Sequence, residues 1–174
     1  MSQNASITPH QRSKRPRAGL AGPYGHPLHP IMVTIPIGAW IASFIFDLAN
    51  LFGSEHESFS RGAIWLIAIG VIGALLAAIL GFLDFLTLTS GTVAHRTALI
   101  HLSINLVVVV LFVIGFIIRV NSDYDRLSIP GFIITIVALI MLTVSGWLGG
   151  KLAYHFGVRV ADEQTQAEGF RATP

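Results

Sequence analysis

The chain has 174 residues, of which 53% are hydrophobic and only 11% charged, and its mean hydropathy is +0.70. A typical soluble domain carries about 25% charged residues, so this composition indicates a membrane protein. The net charge of +2 is too small to argue for nucleic acid as a partner. The absence of cysteine excludes disulfides, iron–sulfur ligation and thiol catalysis within the chain.

The two ends of the chain are polar. We expect residues 1–24 to be a disordered basic tail in the cytoplasm, and residues 161–174 to be a flexible tail. A cleaved signal peptide is not expected, because the first apolar run begins about 30 residues into the chain and is longer than the apolar core of such a peptide.

Four long apolar runs lie between the tails, at residues 31–52, 63–86, 98–118 and 129–149. Each is long enough to cross the hydrocarbon core, which takes about 20 residues of helix. Because a helix satisfies its own backbone hydrogen bonds in lipid, the runs predict helices. The expected fold is all-α: one integral membrane four-helix bundle, up-down-up-down, over residues 25–160.

Lysine and arginine predict the orientation, because they concentrate in cytoplasmic segments. With four spans, both termini and the second loop share one side of the membrane. That side holds eight of the eleven Lys and Arg residues, and the other holds Arg61, Arg119 and Arg126. We therefore expect a multi-pass protein of the bacterial inner membrane with both termini in the cytoplasm.

Ionisable side chains gather at the expected cytoplasmic end of the bundle. Inside a span such groups are costly, so they are candidates for function. The cluster consists of His26, His29, Asp84, His95, His101 and His155. In the third predicted helix, His101 and Asn105 are four residues apart and share a face.

Two kinds of cofactor are compatible with this cluster. Haem b needs two inward histidines at similar depth on different helices, and His29 and His101 are the best pair. A divalent metal would instead use mixed nitrogen and oxygen ligands from the set His26, His29, His95, His101 and Asp84. Each of these residues also has a purely structural interpretation, as an interfacial anchor or as a hydrogen-bonding partner between helices.

Other polar, aromatic and glycine residues are interpreted as structural. Asp47 is expected to form hydrogen bonds near the opposite end of the first helix. Small residues at four-residue spacing allow close approach of helices. The structural set comprises Asp47, Asn105, Trp147, Gly149, Gly150, Tyr154 and His155.

Three segments carry a family resemblance: GHPLHPIMVTIPIGAWIASFIFDL, GFLDFL and GWLGGKLAYHFGVRV. They resemble the uncharacterised bacterial membrane protein family known as domain of unknown function 2231, over about residues 25–160. The resemblance implies a four-helix membrane domain and, through the Rieske-type domains sometimes joined to related domains, a redox setting. It implies no catalytic residue. The positions that match its motifs are His26, His29, Asp84, Trp147, Gly149, Gly150 and Tyr154.

Three functions remain open at this stage. The first is a redox or electron-transfer protein that holds haem b or a metal and works with a membrane or redox partner. The second is a structural or accessory subunit without a cofactor. The third is a small proton-coupled transporter that uses Asp47 and Asp84, and its pathway would be narrow unless the protein forms a homo-oligomer. No nucleotide-binding loop, nucleophile elbow or H-E-x-x-H motif is present, so the sequence does not decide whether the protein is an enzyme.

Overall fold

The computed structural model describes residues 7–14 and 26–170, and this part of the chain is helical, without strands. The expected all-α fold is confirmed. Four helical spans are long and apolar enough to cross a membrane: the first span is His29–Phe52, the second His56–Phe85, the third Val93–Val120 and the fourth Ile129–His155. Most of the expected amino-terminal tail, 1–6 and 15–25, and the last four residues, 171–174, lie outside the described residues.

Local sequence signals explain where the helices begin and break. The first span consists of the helices His29–Met32 and Thr34–Phe52. It is interrupted at Val33, because Pro36 lacks the N–H that would bond to the Met32 carbonyl. The third span begins directly after Thr92, whose side chain accepts a hydrogen bond from the His95 N–H at 3.2 Å and caps the helix.

The fourth span and two short helices near the chain ends are the remaining helical elements of the described residues. The fourth span combines the helix Ile129–Gly150 with a π-helical turn, Lys151–His155. The two short helices are an amino-terminal helix, Pro9–Lys14, and a carboxy-terminal helix, Glu163–Glu168.

Neighbouring spans form two helical hairpins. In the first, His29 contacts Ala77 while Asn50 contacts Ser60, so the first and second spans run antiparallel. In the second hairpin, the third and fourth spans also run antiparallel, because the start of each contacts the end of the other. Their contacts are His101 with Ser145 at one end and Arg119 with Thr135 at the other.

The two hairpins repeat each other in their pattern of buried positions. Four buried residues of the first span have a buried counterpart 72 residues later, in the third span. Four buried residues of the second span have a buried counterpart 68 residues later, in the fourth span. The matching positions are Pro36 and Val108, Trp40 and Phe112, Ser43 and Gly115, Asp47 and Arg119, Ala63 and Gly131, Ile67 and Thr135, Gly70 and Ala138, and Ala77 and Ser145.

Matching positions of the first and third spans meet across the bundle. Trp40 stacks on Phe112 with ring centroids 4.0 Å apart, and Asp47 pairs with Arg119. Residues that contact their own symmetry mates lie on a two-fold axis. The hairpins are therefore related by an approximate two-fold axis, which runs along the spans between the first and the third.

The core of the bundle surrounds the aromatic pair on this axis. The Trp40 indole N–H points at the Ile67 carbonyl, 3.4 Å away, and its ring fills the space beside Gly70, where a Cβ would collide with it. Most other large apolar side chains face outward, as expected for helices surrounded by lipid tails.

We expect Trp40→Ala to lower the free energy of unfolding by about 3 kcal/mol or more, because it leaves a cavity on the axis. Trp40 is 2% exposed, whereas Trp65 is 70% exposed on the lipid face. The matched variant Trp65→Ala should cost less than about 1 kcal/mol. Denaturation in mixed micelles measures both, and equal losses would contradict this assignment of the core.

Candidate functional site

The end of the bundle that contains His29 and His101, here called the histidine end, carries the candidate site. His29 begins the first span, and its Nδ1 lies 2.9 Å from the carbonyl oxygen of Ala77 in the second span. The ring packs against Gly81, where a Cβ would come within 2.9 Å of the imidazole Cε1. The lack of a side chain at Gly81 therefore creates the space for this imidazole.

His101 has a matching backbone contact in the other hairpin. Its Nδ1 lies 2.9 Å from the carbonyl oxygen of Ser145, and a Cβ at Gly149 would lie 3.2 Å from its Cε1. Gly149 and Ser145 are the counterparts of Gly81 and Ala77 in the repeat. The two histidines thus occupy equivalent positions, each held by the backbone of the next span.

The carbonyl partners assign the proton on each neutral ring. A carbonyl oxygen only accepts hydrogen bonds, so Nδ1 of His29 and Nδ1 of His101 each carry the N–H. In the neutral tautomer the lone pair then lies on Nε2 of each ring. This is the tautomer of a histidine that binds iron or another metal through Nε2.

Asn105 contacts the second ring nitrogen of His101. The Asn105 Nδ2 lies 2.7 Å from Ser145 Oγ, 2.9 Å from the His101 carbonyl oxygen and 3.2 Å from His101 Nε2. An amide nitrogen has two hydrogens for these three acceptors, so it shares them among the hydroxyl, the carbonyl and the ring nitrogen. The Nε2 lone pair of His101 therefore has Asn105 as its hydrogen-bond partner, and a ligand bound at Nε2 would replace this contact.

The structure brings together part of the predicted ligand set. His29 lies within electrostatic range of both Asp84 and His101. Among residues 7–14 and 26–170, however, no group of three or more His, Asp or Glu side chains is arranged to hold a metal ion. The structure therefore places two imidazoles, each beside a glycine of the next span, at one end of the bundle.

Asp84 pairs with Arg159, which was expected to lie among the cytoplasmic lysines and arginines. The Asp84 Oδ1 lies 2.7 Å from Nε of Arg159, whose side chain is 7% exposed. Arg159 has φ = 60°, a left-handed conformation that is uncommon outside glycine. Such a conformation persists only where the surrounding contacts fix it, so the chain after the fourth span is specifically shaped to bring Arg159 to Asp84.

The other predicted residues lie around this centre or away from it. The half-buried His95 ring lies against Phe85, with centroids 4.9 Å apart, and His26 precedes the first span. His155 is exposed beside Phe156, while Trp147 and Tyr154 are among the most exposed large side chains, and Gly150 adjoins Tyr154.

The opposite end of the axis, here called the ion-pair end, contains a buried salt bridge. Arg119 Nη2 lies 2.6 Å from Asp47 Oδ2, with side-chain exposures of 4% and 3%. Arg119 also donates to the Thr135 hydroxyl at 3.0 Å and to the Gly115 carbonyl at 3.4 Å. Asp47 was expected to form hydrogen bonds, but its arginine partner had been placed in a loop.

Two glycines of the second hairpin leave space for the Arg119 side chain. A Cβ at Gly131 would lie 2.7 Å from the guanidinium, and one at Gly115 would lie 3.2 Å from it. The counterparts of Gly131 and Gly115 in the first hairpin are Ala63 and Ser43. The repeat is therefore asymmetric at this end, since only the second hairpin has the two glycines and the Thr135 hydroxyl that accommodate the guanidinium.

A comparison with known proteins identifies the family. The chain belongs to the family described as predicted membrane protein (DUF2231), whose model matches residues 25–162. The family resemblance expected from the motifs is thus confirmed. No curated protein and no solved structure matches the chain.

We expect Asp47→Asn to destabilise the fold by about 3 kcal/mol, because it leaves the Arg119 charge buried without its counter-ion. The matched control is Asp123→Asn, which removes an exposed pair with Arg126 at 3.4 Å and should cost less than about 1 kcal/mol. Thermal unfolding in detergent compares the two variants. Similar losses would show that the buried pair contributes no more than a surface pair.

Proposed function

We propose that this member of the DUF2231 family is a membrane electron-transfer protein that binds haem b between His29 and His101. The observation that carries the proposal is the matched pair of hydrogen bonds from Nδ1 to the carbonyls of Ala77 and Ser145. These bonds recur at equivalent positions of the two hairpins. They present two Nε2 lone pairs at the same end of one axis.

The geometry around each ring is that of a positioned ligand. A ligating histidine commonly donates its other ring N–H to a carbonyl, which fixes the tautomer and the ring orientation. Here the donor bonds run to backbone atoms of the next span, so ring orientation depends on helix packing and not on a mobile side chain. Bound haem would supply one-electron chemistry at this position.

Other residues of the axis would isolate the site. Trp40 lies about 16 Å along the helix from His29, and its stack with Phe112 forms an apolar floor below the histidine end. Both rings are almost completely buried. This floor would keep water of the ion-pair end away from the histidines.

The ion pair beside His29 would keep the surroundings of the site close to electrically neutral. The Asp84 carboxylate is within electrostatic range of His29, and the Arg159 guanidinium balances its charge. An unbalanced charge would be costly in this low-dielectric environment. We assign Asp84 and Arg159 to this supporting role and not to ligation.

The same floor argues against the transporter hypothesis. A proton path from Asp84 to Asp47 would have to pass the stacked Trp40 and Phe112 rings, which offer no hydrogen-bonding chain. The accessory-subunit hypothesis predicts that His29 and His101 serve packing alone, and the experiment below separates it from haem binding.

We further propose that the histidine end faces the cytoplasm. Arg119 and Arg159 are each paired with a buried or partly buried aspartate, so they are poor indicators of loop charge. Without them, the remaining lysines and arginines still favour the side of the termini by seven to two. This orientation would place electron exchange near the cytoplasmic surface.

The test is the absorption spectrum of protein purified in mild detergent from haem-supplied cells, before and after reduction with dithionite. We expect a Soret band with sharp α and β bands after reduction. His29→Ala and His101→Ala should each lose most of the bound haem, because each removes one axial ligand.

Two other histidines serve as matched controls. His56 contacts Asn50 at the opposite end, with its Nδ1 2.9 Å from Oδ1, and His155 is exposed. His56→Ala and His155→Ala should keep the spectrum. A colourless wild-type protein would refute haem binding and favour the accessory subunit, and a spectrum retained in both ligand variants would refute the assigned ligands.

A further inference from the structure

The amino-terminal helix, Pro9–Lys14, contacts residues 157–161, which follow the fourth span and lie 146 residues away in sequence. Thr8 and Gln11 form a capping box at its start: Gln11 Oε1 accepts from the Thr8 N–H at 3.0 Å, and Thr8 Oγ1 accepts from the Gln11 N–H at 3.3 Å. A helix of six residues is not stable by itself in water. Its order therefore depends on the residues it contacts, 157–161.

Two basic residues hold the amino-terminal helix in place. The Lys14 Nζ donates to the carbonyls of Val160 at 3.3 Å and Ala161 at 3.1 Å, and Lys14 lies within electrostatic range of Asp162. In the other direction, the Arg159 N–H donates to the Ser13 carbonyl at 3.1 Å, and its Nη1 lies 3.5 Å from the Lys14 carbonyl. These carbonyls are unpaired at the end of any helix, so Arg159 acts as a cap.

The same arginine connects this helix to the candidate site. Its Nε lies 2.7 Å from Oδ1 of Asp84 in the second span, and Asp84 comes three residues after Gly81, which packs against the His29 ring. Gly157 and Arg159 both have positive φ, 67° and 60°, which turns the chain back over the end of the bundle. A Cβ at Gly157 would lie 3.4 Å from Lys14 Nζ and 3.5 Å from His10 Nε2, so the helix sits closely on this turn.

We propose that the amino-terminal helix is a lid on the histidine end, latched by Lys14 and Arg159, which opens to give access to His29. A short helix held by a few polar contacts has a low free energy of local opening compared with the spans beneath it. The lid rests on the position of the histidine site and does not depend on which cofactor binds there.

Chemical labelling of His29 tests the lid in full-length protein that is purified from cells without added haem and is shown by its absorption spectrum to be haem-free, because iron bound at Nε2 would leave no ring nitrogen to react. Diethyl pyrocarbonate acylates an unprotonated imidazole nitrogen, and mass spectrometry gives the rate for each histidine. In Lys14→Ala, which removes the two hydrogen bonds from Nζ, we expect His29 to be labelled about fivefold faster than in the wild type. Arg12→Ala, an exposed cation of the same helix, is the matched control and should not change the rate.

A second variant removes the other half of the latch. Arg159→Gly deletes the guanidinium while allowing the left-handed backbone, and it should also accelerate labelling of His29. His56, at the ion-pair end, provides the reference rate in every sample. If neither Lys14→Ala nor Arg159→Gly raises the His29 rate relative to His56 by more than about twofold, the lid proposal is refuted. Because this measurement needs no haem, a colourless protein would not affect it.

Discussion

Lipid offers no hydrogen bonds, so each polar side chain inside this bundle needs a partner from the chain itself. The structure meets this constraint in two layers at opposite ends of the axis between the hairpins. One layer pairs Asp47 with Arg119, and the other holds His29 and His101 against backbone carbonyls. The stacked aromatic pair separates the layers. Because a carbonyl oxygen only accepts hydrogen bonds, each of these histidines must donate a ring proton, and Nδ1 therefore carries the N–H in both rings.

The repeat of the hairpin explains why the two histidines make the same contact with a backbone carbonyl, and its asymmetries show where the two hairpins differ. At the ion-pair end, Gly131 and Thr135 accommodate an arginine where the first hairpin has Ala63 and Ile67. At the histidine end, the first hairpin alone has an adjacent ion pair, since the counterpart of Asp84 is Leu152. The shared contacts are the basis of the proposed haem site, and the ion pair distinguishes its two sides.

The sequence was sufficient to predict the four helical spans and to predict that His29 and His101 lie at the same end of the bundle. Apolar run length predicted the four spans, and equal depth singled out His29 and His101. It could not predict the partners of the two aspartates. Arg119 and Arg159 stand beside polar loop residues, so local composition placed them in solvent, and the left-handed turn that brings Arg159 to Asp84 has no local signal beyond Gly157. The repeat is not apparent in the sequence, because matching positions are both buried but carry different residue types, as Trp40 and Phe112 or Asp47 and Arg119 do.

The central claim is that both histidines donate their Nε2 lone pairs to one iron. Electron paramagnetic resonance of the oxidised protein, purified from haem-supplied cells, tests it most directly, because two imidazole ligands force ferric haem into a low-spin state. The account predicts a low-spin ferric signal with one iron per chain, converted to high spin or lost in His101→Ala. A protein without iron, or a high-spin signal in the wild type, would contradict it.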